Sequence, residues 1–140
     1  MSVPAPQRDH GKLEACVKAL ELAKYTLKIT ANKKIFTVEY QTALTDKIIS
    51  AALNIYTLAW TANNILVNSP DDLVRRLSFQ EQAAIQCNIL LSLMDIAQGI
   101  FHLSTKRIVY WGKKTIEARN LIRAWRDADR KRYGARFKGQ

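Results

Sequence analysis

The sequence predicts an all-α protein that folds as an antiparallel up-and-down four-helix bundle. Apolar residues recur at intervals of three and four along nearly the whole chain, and the alternation typical of strands is almost absent. The 140 residues suffice for one compact domain but not for two substantial ones. The pattern divides into four helical segments joined by short connections, and helices joined in this way usually pack antiparallel to each other.

The first helix is predicted from about Gly11 to Thr30, followed by a loop at residues 32–34. The side chains expected to face the core are Leu13, Val17, Leu20 and Leu27. Residues 1–10 are expected to form a flexible tail, and residues 1–12 lack the apolar segment of a signal peptide. Since no uninterrupted apolar run approaches the roughly 20 residues that span a bilayer, the sequence predicts a cytoplasmic protein.

The second helix, predicted from Thr37 to about Val67, carries two apolar stripes. The first, expected to face the core, comprises Leu44, Ile48, Ala51, Ile55, Leu58 and Ala62. The second lies about 140–150° away around the helix and comprises Ile49, Leu53, Tyr56, Trp60 and Val67. Neighbouring helices of the same bundle could cover both stripes. We favour the alternative, in which Ile49, Leu53, Tyr56 and Trp60 form the interface of a homo-oligomer.

The third helix has a specific start signal at "SPDD", residues 69–72. The Ser69 hydroxyl can accept a hydrogen bond from a free backbone amide, and Pro70 suits the first helical position. Asp71 and Asp72 favour the positive end of the helix dipole. This helix is predicted to end between residues 99 and 103.

The fourth helix is predicted to begin after Ser104 as its cap and to end at residues 129–131, before Gly134. Its apolar stripe, interpreted as core and not as a platform for stacking bases, is Ile108, Trp111, Thr115, Ala118, Ile122 and Trp125. The bundle would then occupy residues 11–132, and residues 133–140 would form a basic C-terminal tail.

Positive charge is concentrated in the last quarter of the chain. The formal net charge is +10, from 22 basic and 12 acidic residues. Residues 1–103 carry 10 basic and 9 acidic side chains, whereas residues 104–140 carry 12 basic and 3 acidic ones. This asymmetry indicates a polyanion such as nucleic acid as a partner; a solvated helix with a soluble tail is the alternative.

A row of cationic side chains flanks the core stripe of the fourth helix, about 80–90° around it. Its members are Arg119, Arg123, Arg126 and Arg130, followed by Lys131 and Arg132. Only Asp127 and Asp129 lie nearby. Asp127 follows Arg123 by four and Asp129 follows Arg126 by three, which is the less favourable order for a helical ion pair. Because a guanidinium keeps its charge and offers a planar fork of donors, the row suits phosphate binding. Ordinary solvated surface is the alternative.

Catalytic and metal-binding patterns are largely missing. Cys16 and Cys87 lie in helical segments without CxxC spacing, which favours two reduced, buried thiols. His102 lacks a second ligand at i+3 or i+4, and His10, which has Glu14 at i+4, lies in the expected N-terminal tail. No glycine-rich phosphate loop occurs. The sequence therefore predicts a protein that is not an enzyme and that uses no metal or cofactor.

Several segments resemble one known family. They are "LAKYTLKIT" at residues 22–30, "YQTALTDKIISAALNIY" at 40–56, "AN" at 62–63 and above all "RAWRDADRKRYG" at 123–134. Their order and spacing are similar to those of the accessory variability determinant proteins of diversity-generating retroelements. These are four-helix-bundle relatives of proteins encoded in ribosomal RNA intervening sequences. The resemblance covers about residues 12–134.

The resemblance implies a fold, an assembly and partners. Members form up-down-up-down bundles that assemble as homopentameric barrels with a basic surface. They bind the element's reverse transcriptase, RNA and DNA, and they support mutagenic retrohoming without a catalytic centre of their own. Carried onto this chain, the expected nucleic-acid contacts are Arg119, Arg123, Arg126, Arg130, Lys131 and Arg132, then Lys113 and Lys114. The alternative is a stand-alone RNA- or protein-binding protein of the intervening-sequence type.

Overall fold

The computed structural model describes residues 10–138, with side chains from residue 14 onward, and it contains four α-helices and no strand within that range. The helices are α1 (His10–Thr30), α2 (Asp46–Asn63), α3 (Pro70–Phe101) and α4 (Thr105–Arg136). Each packs against two others, α1 and α3 both contacting α2 and α4, so they surround one core. The all-α class and the helical bundle are confirmed. Residues 1–9 of the predicted tail and the last two residues lie outside the described part.

The face that α1 buries differs from the predicted one. Val17 and Leu27 are exposed, Leu20 is half-buried, and the Leu13 side chain lies outside the described residues. The side chains in the core are mostly small: Ala15, Cys16, Ala19, Leu22, Ala23, Thr26, Ile29 and Thr30. Small side chains let helix axes approach closely. The prediction was wrong because it selected the longer aliphatic side chains, whereas this helix buries mostly its small ones.

The sequence predicts one continuous helix from Thr37, but the segment before α2 does not continue it as an α-helix. A 3-10 turn at Val38–Tyr40 and a π turn at Gln41–Thr45 precede α2. The Gln41 side chain links these turns, accepting from Lys33 Nζ at 2.7 Å and donating to Asp46 Oδ1 at 2.8 Å. The predicted core stripe is confirmed, since only Leu58 of its six members is half-buried and the rest are buried. The helix ends at Asn63, earlier than predicted.

The predicted starts of α3 and α4 are confirmed at the level of single hydrogen bonds. Ser69 Oγ accepts from the backbone amide of Asp72 at 3.2 Å, with Pro70 at the first helical position. Ser104 Oγ accepts from the Arg107 amide at the same distance. Between these helices, His102 adopts the left-handed conformation with φ 54°, which reverses the chain within a short turn.

The core stripe of α4 is confirmed, because five of its six residues are buried and Ile108 is half-buried. Trp111 Nε1 donates to Thr26 Oγ1 of α1 at 3.0 Å, which satisfies the indole inside the core. The helix continues past Gly134 to Arg136, beyond the predicted end. Tertiary contacts of the last turn, including Arg136 NH1 donating to the Val67 carbonyl at 3.4 Å, offset the roughly 1 kcal/mol that glycine costs a helix.

Candidate nucleic-acid interface

The basic half of α4 is anchored by a buried carboxylate, Asp129, of which 1% is exposed. Its Oδ2 accepts from Arg76 Nε and from Gln80 Nε2, both at 2.8 Å and both from α3. Its Oδ1 accepts from Arg132 at 3.2 Å. A buried carboxylate is tolerated when it is paired and hydrogen-bonded in this way.

Arg76 connects this carboxylate to the segment between α2 and α3. Its NH1 donates to the Ile65 carbonyl at 3.0 Å. Its guanidinium lies 5.5 Å from the centroid of the Trp125 ring and 5.8 Å from that of Tyr133. Cation–π contacts of this kind are strongest where water is excluded. The Arg76–Asp129 ion pair therefore holds together the end of α4, the start of α3 and the connection between α2 and α3.

The inward orientation of Asp129 corrects the predicted charge balance of α4. The sequence placed it beside the arginine row as a screening group, but it lies in the core, in register with Ile122 and Trp125 of the apolar stripe. An acidic residue at a core position, four and seven residues after the buried Trp125 and Ile122, was the signal for this pairing. On α3, Arg76 and Gln80 continue the core register in the same way.

The arginine row lies along the side of α4 that faces α3. Arg119 NH1 donates to Asn88 Oδ1 of α3 at 2.9 Å, and Arg126 pairs with Glu81 of α3. Burial raises the pKa of the Cys87 thiol to about 12, against the attraction of the nearby Arg119 and Arg123. These contacts place the row at the α3–α4 seam.

Only part of the row is neutralised. Arg130 NH1 bonds Asp127 Oδ1 at 3.3 Å, and the same carboxylate lies 3.6 Å from Arg126 Nε. Arg123 has no ion pair within the described residues, and Arg119 bonds only neutral amides. Two carboxylates, Glu81 and Asp127, thus pair with only two of the four guanidiniums. The row keeps a net positive charge that a phosphate backbone could neutralise.

The other predicted contact residues do not share the face of the row. Lys114 is half-buried over the rings of Tyr25 and Tyr110, on the side of α4 that faces α1. Lys113 and Lys131 are exposed. Arg132 is exposed at its tip while bonded to the buried Asp129. The predicted set is therefore divided between two sides of α4.

The apolar residues predicted as a subunit interface leave a partly open surface on α2. Trp60 is 47% exposed and Leu53 is exposed, while Ile49 and Tyr56 are half-buried. Tyr56 and Trp60 stack with ring centroids 6.4 Å apart and an interplanar angle of 21°. Val67, the fifth member of this stripe, is buried in the α2–α3 connection. We call Ile49, Leu53, Tyr56 and Trp60 the α2 patch.

A second exposed apolar surface, which the sequence reasoning missed, runs along α3. Its members, called the α3 stripe below, are Val74, Ile85, Ile89, Ile96 and Ile100, all exposed. Their spacing places them within one narrow sector of the helix, and the intervening Ser78 and Ser92 are uncharged. The signal in the sequence was the recurrence of isoleucine at intervals of four and seven, beside a separate core stripe.

The length and composition of α3 would also allow it to cross a membrane. Of its most apolar 18-residue segment, 33% is buried inside the bundle. Core helices of soluble proteins meet the same criteria. Among the residues whose side chains the structure describes, no three His, Cys, Asp or Glu come together as a metal site would require.

Comparisons of this chain with protein-family models, with curated proteins and with solved structures found no match.

Replacing Asp129 with alanine should lower the free energy of unfolding by about 3–5 kcal/mol, because Arg76 would stay buried without its partner. Urea unfolding followed by circular dichroism measures this. Asp127→Ala, on the exposed side of the same helix, should change it by no more than about 0.5 kcal/mol.

The triple variant Arg76→Met, Gln80→Met and Asp129→Leu separates pairing from packing, because it also removes the Gln80 amide that bonds Asp129. An apolar pair of similar size often replaces a buried ion pair without loss, so this variant should recover most of the stability lost in Asp129→Ala. Equal stability of wild type and Asp129→Ala would contradict the anchoring role.

Proposed function

We propose that this protein is a non-catalytic, nucleic-acid-binding adaptor, and specifically an accessory variability determinant protein of a diversity-generating retroelement. In this role it binds the element's reverse transcriptase together with RNA and DNA, and it supports complementary DNA synthesis for mutagenic retrohoming. It acts in the cytoplasm, without a metal or cofactor of its own.

The observation that carries the nucleic-acid part is the charge of α4 after folding. Residues 104–140 contain only three acidic side chains against twelve basic ones, and Asp129 is withdrawn into the core. The surface of this helix therefore presents even less negative charge than the sequence suggests. A cationic surface such as the arginine row attracts polyanions over a distance comparable to the Debye length.

The proposed assembly is a homopentameric ring of antiparallel up-and-down bundles. The support for it is that one chain exposes two different apolar surfaces, the α2 patch and the α3 stripe. When two different surfaces of the same chain meet between copies, the contact is head-to-tail and closes into a ring if the rotation allows it. Each copy would also present its arginine row, so weak phosphate contacts would be multiplied.

The proposed mechanism is positioning. A reverse transcriptase is itself basic around its nucleic-acid groove, so two cationic proteins repel each other unless RNA or an apolar or acidic patch joins them. Template RNA held on a ring of arginine rows would remain near the polymerase, which raises its local concentration. Arg119 and Arg123 are the first candidates for phosphate contact, because no carboxylate pairs with them in the described part of the chain.

The runner-up is a stand-alone bundle of the intervening-sequence type that binds structured RNA or a protein without a reverse transcriptase. The same arginine row supports this alternative. A neighbouring reverse-transcriptase gene and a pair of template and variable repeats would favour the accessory role, because they define the retroelement.

The assembly proposal predicts a solution mass several times 16.0 kDa, measured by light scattering at micromolar concentration. Trp60→Glu and Ile96→Glu should each lower this mass, because either change buries an unpaired charge at the contact. The circular dichroism spectrum of both variants should remain helical, since both wild-type side chains are about half exposed.

Thr61→Glu is the matched control for assembly, because it adds the same charge at an exposed α2 position beside Trp60 but on another side of the helix. It should leave the mass unchanged. A monomeric wild type would rule out the ring.

The nucleic-acid proposal predicts that affinity for RNA and DNA falls steeply with salt and depends weakly on sequence. Replacing the row with glutamine (Arg119, Arg123, Arg126 and Arg130) should lower the affinity and reduce the slope of log K against log salt by about three. Fluorescence anisotropy at several salt concentrations measures both quantities.

The control removes four charges elsewhere, with glutamine at the exposed Lys24, Lys28, Lys34 and Lys47. It should change the slope much less. If both variants change affinity and slope equally, net charge and not the row governs binding.

The accessory role predicts that the protein co-purifies with the reverse transcriptase of the same element at moderate salt. Nuclease treatment of the complex shows whether RNA or a direct protein contact joins them. Absence of a complex both with and without the element's RNA would favour the stand-alone protein.

A further inference from the structure

An aromatic and cationic cluster lies near the start of α4, on the side that faces α1. The rings of Tyr25 and Tyr110 meet edge to face, with centroids 5.2 Å apart. Lys114 Nζ lies over both rings, 5.2 Å from the Tyr110 centroid and 5.9 Å from that of Tyr25. Tyr110 is 51% exposed despite these contacts, so part of this residue stays open to a ligand.

Two further cations border this cluster. An open groove is lined by Tyr25, Ser104, Lys106, Arg107 and Tyr110. The first turn of α4 has no acidic residue, so Lys106 and Arg107 lie where the helix dipole repels positive charge. Their placement costs the isolated helix stability, and an anion bound between them would remove that cost.

The acidic side chains near Tyr25 and Lys114 in the sequence, Glu21 and Glu117, are already paired with another cation. Glu117 of α4 and Glu21 of α1 both lie close to Lys18, at 3.9 Å and 3.6 Å. Within the described residues, Lys106 and Lys114 make no ion pair. The groove thus combines an exposed aromatic ring with uncompensated cations, the combination that single-stranded nucleic acid requires for its bases and its phosphates.

We propose that this groove binds an unpaired nucleotide, with its base stacked on Tyr110 and its flanking phosphates held by Lys106 and Arg107. Bases of a duplex are already stacked and paired, whereas those of a single strand are free to stack on a tyrosine. The proposal rests on the proposed nucleic-acid function. It adds a contact on the α1 side of α4, separate from the arginine row on the α3 side.

The two contacts have different chemistry. The arginine row offers guanidiniums and no exposed aromatic ring, so it recognises phosphates of any strand. The Tyr110 groove recognises the presence of an unpaired base. A template with both paired and unpaired regions could therefore be held by its backbone on one side of α4 and by an unpaired nucleotide on the other.

The test compares two labelled single strands of equal length and charge, oligothymidylate and a fully abasic strand, by fluorescence anisotropy. The wild-type protein should bind oligothymidylate about fivefold or more tightly, as expected for at least one stacked base. Tyr110→Leu should abolish this preference without changing the salt slope. Tyr110→Phe should retain it, since the ring remains. Unstructured oligouridylate tests the same contact in RNA.

Val109→Ala is the matched control, because Val109 is the neighbouring residue of α4 and has the same exposed fraction, 51%. It should keep the preference for bases, and circular dichroism checks the fold of every variant. If wild type shows no preference, or if Tyr110→Leu keeps it, the groove is not a base site, even though phosphate binding by the arginine row stands. If no strand binds at all, the proposed nucleic-acid function fails as well.

Discussion

The buried ion pair between Asp129 and Arg76 is the constraint on which the end of the bundle depends. Neither charge could leave water alone without a cost of several kcal/mol, and each finds its partner on the other helix at 2.8 Å. Gln80 and the Ile65 carbonyl complete the hydrogen bonding. The pair therefore allows little freedom in how α4 rotates and slides against α3, and it fixes which residues of α4 face solvent.

That rotation gives the protein its charge distribution. With Asp129 turned inward, the cationic residues of α4 occupy its flanks, and the carboxylates that pair with the arginine row are only Asp127 and Glu81 in the described residues. The pair also keeps the carboxylate of Asp129 in the core and away from the arginine row. The buried pair thus connects the stability of the fold to the proposed function.

The sequence predicted those features that depend on local rules. Helical periodicity indicated the class, and Ser69 and Ser104 cap their helices as serine does where free amides need an acceptor. The features that it missed depend on contacts between different helices. The α1 face was misassigned because close packing favours alanine there, and Asp129 was read as a surface residue because its partner, Arg76, lies 53 positions away. The α3 stripe was overlooked because its isoleucines lie beside a core stripe on the same helix.

In the proposed function, this protein makes a polymerase effective by holding its template. Primer extension on the element's own RNA tests this most directly, with the reverse transcriptase alone, with this protein added, and with the variant that has glutamine at the four arginines of the row. The account predicts abundant complementary DNA only when the wild-type protein is present, and reduced product with the variant. Equal synthesis by the polymerase alone would contradict it.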